Sequence, residues 1–107
     1  MKEQIVFAAY RANNGKDKEL EALIKRHVPT LRELGLVTER EPVIVKSKDG
    51  TYIEVFEWNS HEASQVAHEH PVVAKIWEAM GGVSEFVSLD KLAETKNPFP
   101  HFSPVAI

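Results

Sequence analysis

Residues 48–58 read Lys-Asp-Gly-Thr-Tyr-Ile-Glu-Val-Phe-Glu-Trp. Asp49-Gly50 suits the positive φ angles of a tight hairpin turn, and the run after it is rich in β-branched and aromatic residues. Strand side chains alternate, so Tyr52, Glu54, Phe56 and Trp58 share one face while Ile53, Val55 and Glu57 share the other. Both faces are largely apolar. That pattern predicts a strand over 51–58 that is covered on both sides.

Working outward, residues 37–48 form the other arm of the hairpin, with Val43, Ile44 and Val45 at its centre. Pro42 places that arm at an edge or a bulge. Further upstream, residues 4–11 make a first strand rich in β formers, closed by the Asn13-Asn14-Gly15 turn signal. Asp17 is positioned to cap a helix. Leu20, Leu23, Ile24, His27, Leu31 and Leu34 recur at helical spacing, with a kink or restart expected at Pro29 and a stop at Gly35. Downstream, Asn59 and Glu62 have the spacing of a capping box. A second helix then runs from about residue 60, disturbed at Pro71, to Gly81-Gly82. A fourth strand follows over 84–89, and residues 97–107 read as an extended Pro/Phe tail.

The order β-α-β-β-α-β predicts an α+β domain spanning residues 1–107. It would have a four-stranded antiparallel sheet with both helices on one face. The opposite face of such a sheet is bare and apolar, and a second copy of the chain is its expected cover.

The stretch YIEVFEWNSHEASQVAHEHPVVAKIWEAMGGVSEF (52–86) resembles the second half of a dimeric α/β-barrel domain of the antibiotic biosynthesis monooxygenase-like group, a ferredoxin-like fold. The resemblance is best in F-E-W, H-E-H-P and I-W-E-x-M-G, and in element order it spans the chain. It implies a homodimer with a cleft between helices and sheet in each protomer. Relatives implied include cofactor-independent quinol oxygenases and haem-degrading monooxygenases. The haem-degrading branch uses an Asn on the first strand with a Trp and a His on the second helix. Here Ile5–Tyr10 contains no Asn and Trp77 follows His70, so haem breakdown is not expected and no cofactor is assigned.

Composition narrows the function classes. The chain has 107 residues, a net charge of −3 and no cysteine, with 43% hydrophobic and 27% charged residues. These are ordinary globular values. Acidity disfavours nucleic acid and anionic membranes as partners. Without cysteine there are no disulfides, thiolate metal sites or cysteine nucleophiles, and a cytoplasmic location is the default expectation. The apolar run Ile5–Tyr10 is too short for a membrane span.

The histidines carry the chemical interest, because imidazole titrates near neutrality and serves as acid, base or hydrogen-bond partner. His27 sits in the apolar stripe of the first helix. With the second helix taken as continuous, His70 centres its apolar stripe, while His61 and His68 fall on the polar face. His27 and His70 are therefore candidate catalytic groups converging on one cleft; the alternative is that each is satisfied within the core. Glu54, between Tyr52 and Phe56, is a candidate proton acceptor, or else pairs with Arg11, Arg40 or Lys46. Tyr52, Phe56, Trp58 and Trp77 are candidates to line a site for a flat aromatic ligand, or are core. No metal site is expected, since the i, i+4 histidine pair of a zinc helix is absent. The tail, with Phe99, His101 and Phe102, either closes over the cleft or a partner subunit or is a loosely ordered end.

Three readings follow. One is a cofactor-independent monooxygenase acting on an aromatic or lipophilic molecule. Another is a non-catalytic domain that binds or senses such a molecule. The third is an RNA-binding module, which shares the element order and finds a partial match in residues 48–56. Asp49 and Glu54 would repel phosphate there.

Overall fold

The structure, a computed structural model, describes residues 2–107; Met1, within the expected domain span, lies outside them. Its strands are β1 (Gln4–Ala12), β2 (Val43–Lys46), β3 (Tyr52–Trp58), β4 (Ser84–Val87) and β5 (Ser103–Pro104). The helices are α1 (Asp17–Glu33), α2 (Ala63–Glu69) and α3 (Pro71–Val83). All strands pair antiparallel in the order β4-β1-β3-β2-β5. The sheet has five strands where four were expected. The fifth comes from the tail, where Ser103 and Pro104 pair with β2 and the Val105 N–H donates to the Ile44 carbonyl at 2.8 Å.

The β1–β3 register sets Tyr10 opposite Tyr52, Ala8 opposite Glu54 and Val6 opposite Phe56. Pleat alternation sends this set to the helix side. There Tyr10, Tyr52 and Ile44 pack with Leu20, Ile24, Ile76 and Met80, while Phe56 and Trp58 pack with Val28, Leu31, Ala63, Ala67 and Val73. On the other face, Ala9 and Ile53 are covered by Leu92, with Leu89 and Phe102 beside them. After two 3-10 turns (Leu89–Lys91 and Ala93–Lys96) the tail sets Phe102 on the sheet face opposite the helices, while Val105 and Ile107 reach the helix side beside Ile24; among the described residues, no tail residue lines the cleft. The cover on the opposite face is partial. Ile5, Phe7 and Val43 remain 47%, 57% and 56% exposed.

Several local expectations are corrected. The second strand starts only at Val43, and Val37 makes an isolated bridge to Trp58. Asp17 begins α1 without capping it; its carboxylate accepts from the Tyr52 hydroxyl and pairs with Lys46. Helix α1 runs through Pro29 to Glu33 with neither end nor restart. Ser60, not Asn59, accepts from the Ala63 N–H, and the Asn59 amide bonds to the Gly35 carbonyl instead. The second helix is two helices. A residue before proline is driven out of the α region, and His70 is extended at ψ 125°.

The β2–β3 hairpin carries a testable electrostatic feature. The Ser47 hydroxyl, with help from Thr51 and Arg11, holds the Asp49 carboxyl down at about 2. A carboxyl depressed in the fold relative to its unfolded value near 3.8 stabilises the protein above about pH 4. That contribution is lost as pH falls towards 2. Ser47→Ala is expected to raise the Asp49 titration, followed by carboxyl 13C NMR, and to flatten the loss of stability between pH 4 and pH 2. An unchanged titration contradicts this.

Candidate functional site

Burial of polar groups organises the site. Glu54 is 0% exposed and His27 2% exposed, and each needs hydrogen-bond partners to be tolerated. They supply one another: His27 Nδ1 lies 2.9 and 3.0 Å from the two Glu54 oxygens. The Tyr10 hydroxyl donates to Glu54 Oε1 at 2.7 Å, and the Trp77 indole N–H donates to His27 Nε2 at 2.8 Å. A continuous chain, Tyr10–Glu54–His27–Trp77, thus links β1, β3, α1 and α3.

The direction of this chain follows from its ends. Indole nitrogen only donates, so His27 Nε2 accepts and carries no proton. The proton of the neutral ring is then on Nδ1, which donates to Glu54. Glu54 in turn accepts from both its neighbours. Burial, and then the Glu54 charge, push the Tyr10 phenol far above its ordinary range, so Tyr10 stays a donor at neutral pH.

Beside this chain is a cleft of about 310 Å³. Val6, Ala8, Tyr10, Phe56, Trp58, Met80 and Phe86 make most of its wall, and His27, Trp77, His68 and Phe7 also line it. Two local features open it. Strand β4 pairs with β1 only along Ala9–Ala12, so among the described residues the edge of β1 before Ala9 has no strand on that side. Ala8, opposite Glu54, also leaves room above the carboxylate. The rings are set edge to face: Tyr10 on Phe86 (5.5 Å), His27 on Phe56 (5.4 Å) and Phe56 on Trp58 (5.1 Å). A hollow of about 440 Å³ beside Asp17, Lys18 and Glu21 is larger, but its lining is the charged outer side of α1.

The structure brings His27, Glu54, Phe56, Trp58 and Trp77 together, with Glu54 beneath the cleft and the other four in its wall. None of the cations considered for Glu54 reaches it: Arg11 pairs with Asp49, Arg40 with Glu57 and Lys46 with Asp17. His70 and Tyr52 are corrected. His70 Nδ1 accepts from the Val72 N–H at the start of α3, since the break at Pro71 resets the helical phase. The same break carries His68 to the cleft, with its ring 4.9 Å from Trp77. Tyr52 is fully buried and donates to Glu21 (2.6 Å) and Asp17 (3.1 Å), away from the cleft. Tyr10 and Phe86 were missed as site residues, although strand alternation from Val6 and Ala8 was a signal for Tyr10. Among the described residues, no group of three or more His, Asp or Glu side chains is placed to hold a metal, and no helix is long and apolar enough to cross a membrane.

No protein-family model matches the chain, and no curated protein does. Its likeness to known proteins lies in solved structures. SnoaB, a cofactor-independent oxygenase from Streptomyces nogalater, superposes with a TM-score of 0.64 at 17% identity, covering 81% of this chain and 88% of that chain. A point mutant of SnoaB superposes with a TM-score of 0.66 at 18% identity over the same shares. Tetracenomycin F2 cyclase from Streptomyces glaucescens, a type-II polyketide cyclase, gives 0.55 at 14% identity, covering 97% of this chain and 92% of that chain. The shared feature is the fold.

Proposed function

We propose that this chain is a cofactor-independent monooxygenase that removes a proton from an enolic or phenolic aromatic substrate. The observation that carries the reading is the buried Glu54–His27 pair with its proton-free Nε2 on the apolar cleft. His27 accepts the substrate proton at Nε2, and the Glu54 carboxylate stabilises the imidazolium that forms. The apolar wall keeps water from competing and holds a flat ring system.

For an anthrone, proton loss from the ring CH₂ gives an electron-rich enolate. Its carbon adds to O₂, and the resulting hydroperoxide loses water to leave a carbonyl. One O₂ is consumed, one oxygen atom enters the product and the other leaves as water. The oxygenase and cyclase neighbours support this reading, since enolate formation can begin either kind of reaction. Oxygen uptake with 1,8-dihydroxyanthrone tests it: one O₂ per anthrone at a rate well above buffer is expected, and a rate equal to buffer overturns it.

The working unit is a homodimer in this reading, its second copy covering Ile5, Phe7 and Val43 on the bare part of the sheet. Native mass spectrometry is expected to show a dimer that Phe7→Glu converts to monomer. A monomeric wild-type protein removes this part of the reading.

A further inference from the structure

We infer that Trp77 is a displaceable latch on the base: its indole N–H holds the one lone pair of His27 Nε2, and the acidic hydroxyl of a phenol or enol takes over that lone pair by turning the indole aside. This rests on the cleft reading above and adds to it a residue that sets when His27 can act. Trp77 is a positioning residue, because it acts through His27.

Occupancy of the two ring nitrogens decides access to the base. An imidazole has two ring nitrogens, and the neutral ring has one in-plane lone pair. Nδ1 is committed to both oxygens of Glu54. Nε2 is therefore the only basic atom left, and the Trp77 N–H is on it at 2.8 Å. A proton donor in the cleft cannot reach Nε2 while the indole stays there.

Something must move, and the surroundings select Trp77. Phe56 lies against His27 edge-on and is buried in the core under α1 and α2. Trp77 is only half-buried and borders both the cleft and the core clusters. On its exposed side stands His68, its ring T-shaped to the indole at 4.9 Å and itself solvent-exposed. The arrangement resembles a hinged cover with one polar contact inward and one aromatic contact outward. A substrate hydroxyl replaces the indole hydrogen bond at Nε2 with one of its own, so opening leaves neither ring nitrogen of His27 unpaired.

The test uses 15N-labelled protein and 2-naphthol, an acidic phenol of suitable shape. In the protein alone, a 15N–15N coupling through the hydrogen bond is expected between Trp77 Nε1 and His27 Nε2. On adding 2-naphthol that coupling should vanish as the indole is displaced. Replacing Trp77 with benzothienylalanine keeps the ring shape and removes the N–H. That protein is expected to bind 2-naphthol about three- to tenfold more tightly, since one hydrogen bond no longer has to be broken. A purely structural Trp77 would give equal or weaker binding in the analogue. Binding with the coupling retained overturns the latch and leaves the cleft reading standing. Binding by neither protein overturns both, while binding by the benzothienyl protein alone supports the latch in its tightest form.

Discussion

His27→Gln is expected to lower kcat/KM for oxygenation of 1,8-dihydroxyanthrone by about 10²- to 10⁴-fold, the contribution of a positioned general base. Glutamine can still hydrogen-bond Glu54, so the fold is expected to survive, as circular dichroism would show. The amide has no basic nitrogen. The loss should therefore fall on kcat, with the KM changing little, because the apolar wall of Phe56, Trp58, Met80 and Phe86 still binds the rings. His70→Ala provides the contrast. Its imidazole accepts from the Val72 N–H and does not line the cleft, so its removal should leave the rate within about twofold. A large loss with His70→Ala and a small one with His27→Gln would reverse the assignment.

The second large effect is on stability. Glu54→Ala leaves the His27 Nδ1–H and the Tyr10 hydroxyl facing each other across a cavity, with no acceptor between them. Breaking a buried polar cluster by removing its acceptor costs about 3–5 kcal/mol. At about 4–8 °C per kcal/mol for a domain of this size, the melting midpoint should fall by more than about 12 °C. Tyr10→Phe removes only one donor, and Glu54 keeps His27. Its cost should be about 1–3 kcal/mol, and the double variant should lose less than the sum because the two groups share one contact. Thermal unfolding of the three proteins checks this. A fall of only one or two degrees for Glu54→Ala would mean that the cluster relaxes into solvent.

Strong periodicity was legible in the sequence. The alternation in Tyr52–Trp58 and the Leu20–Leu34 stripe identify the elements that hold Glu54 and His27, and with them half of the candidate site. Which face Glu54 takes was not legible, because Ile53 and Val55 make the opposite face equally apolar. The register with β1, which sets Ala8 across from Glu54, is a tertiary fact. The histidine assignment on the second helix failed for a local reason. A continuous 100° phase carried past Pro71 favours His70 beside Trp77, whereas the extended residue before the proline breaks the helix, and His68 rather than His70 stands against Trp77 at the cleft. Tyr52 was placed on the correct face, but it lies further along the strand, beside Asp17 and Glu21 of α1. The tail is legible as extended; its pairing with β2 and the packing of Phe102 beside Ala9 and Ile53 depend on contacts far apart in the chain.

In the proposed reaction His27 takes a proton from carbon-bound or hydroxylic hydrogen of an aromatic substrate, before any oxygen chemistry. Anaerobic exchange tests it most directly. 1,8-Dihydroxyanthrone in deuterium oxide under nitrogen, followed by proton NMR, reports loss of the CH₂ signal without oxidation. The wild-type protein is expected to speed this exchange far above buffer, and His27→Gln is not. Exchange no faster than buffer, or equally fast with His27→Gln, would contradict it.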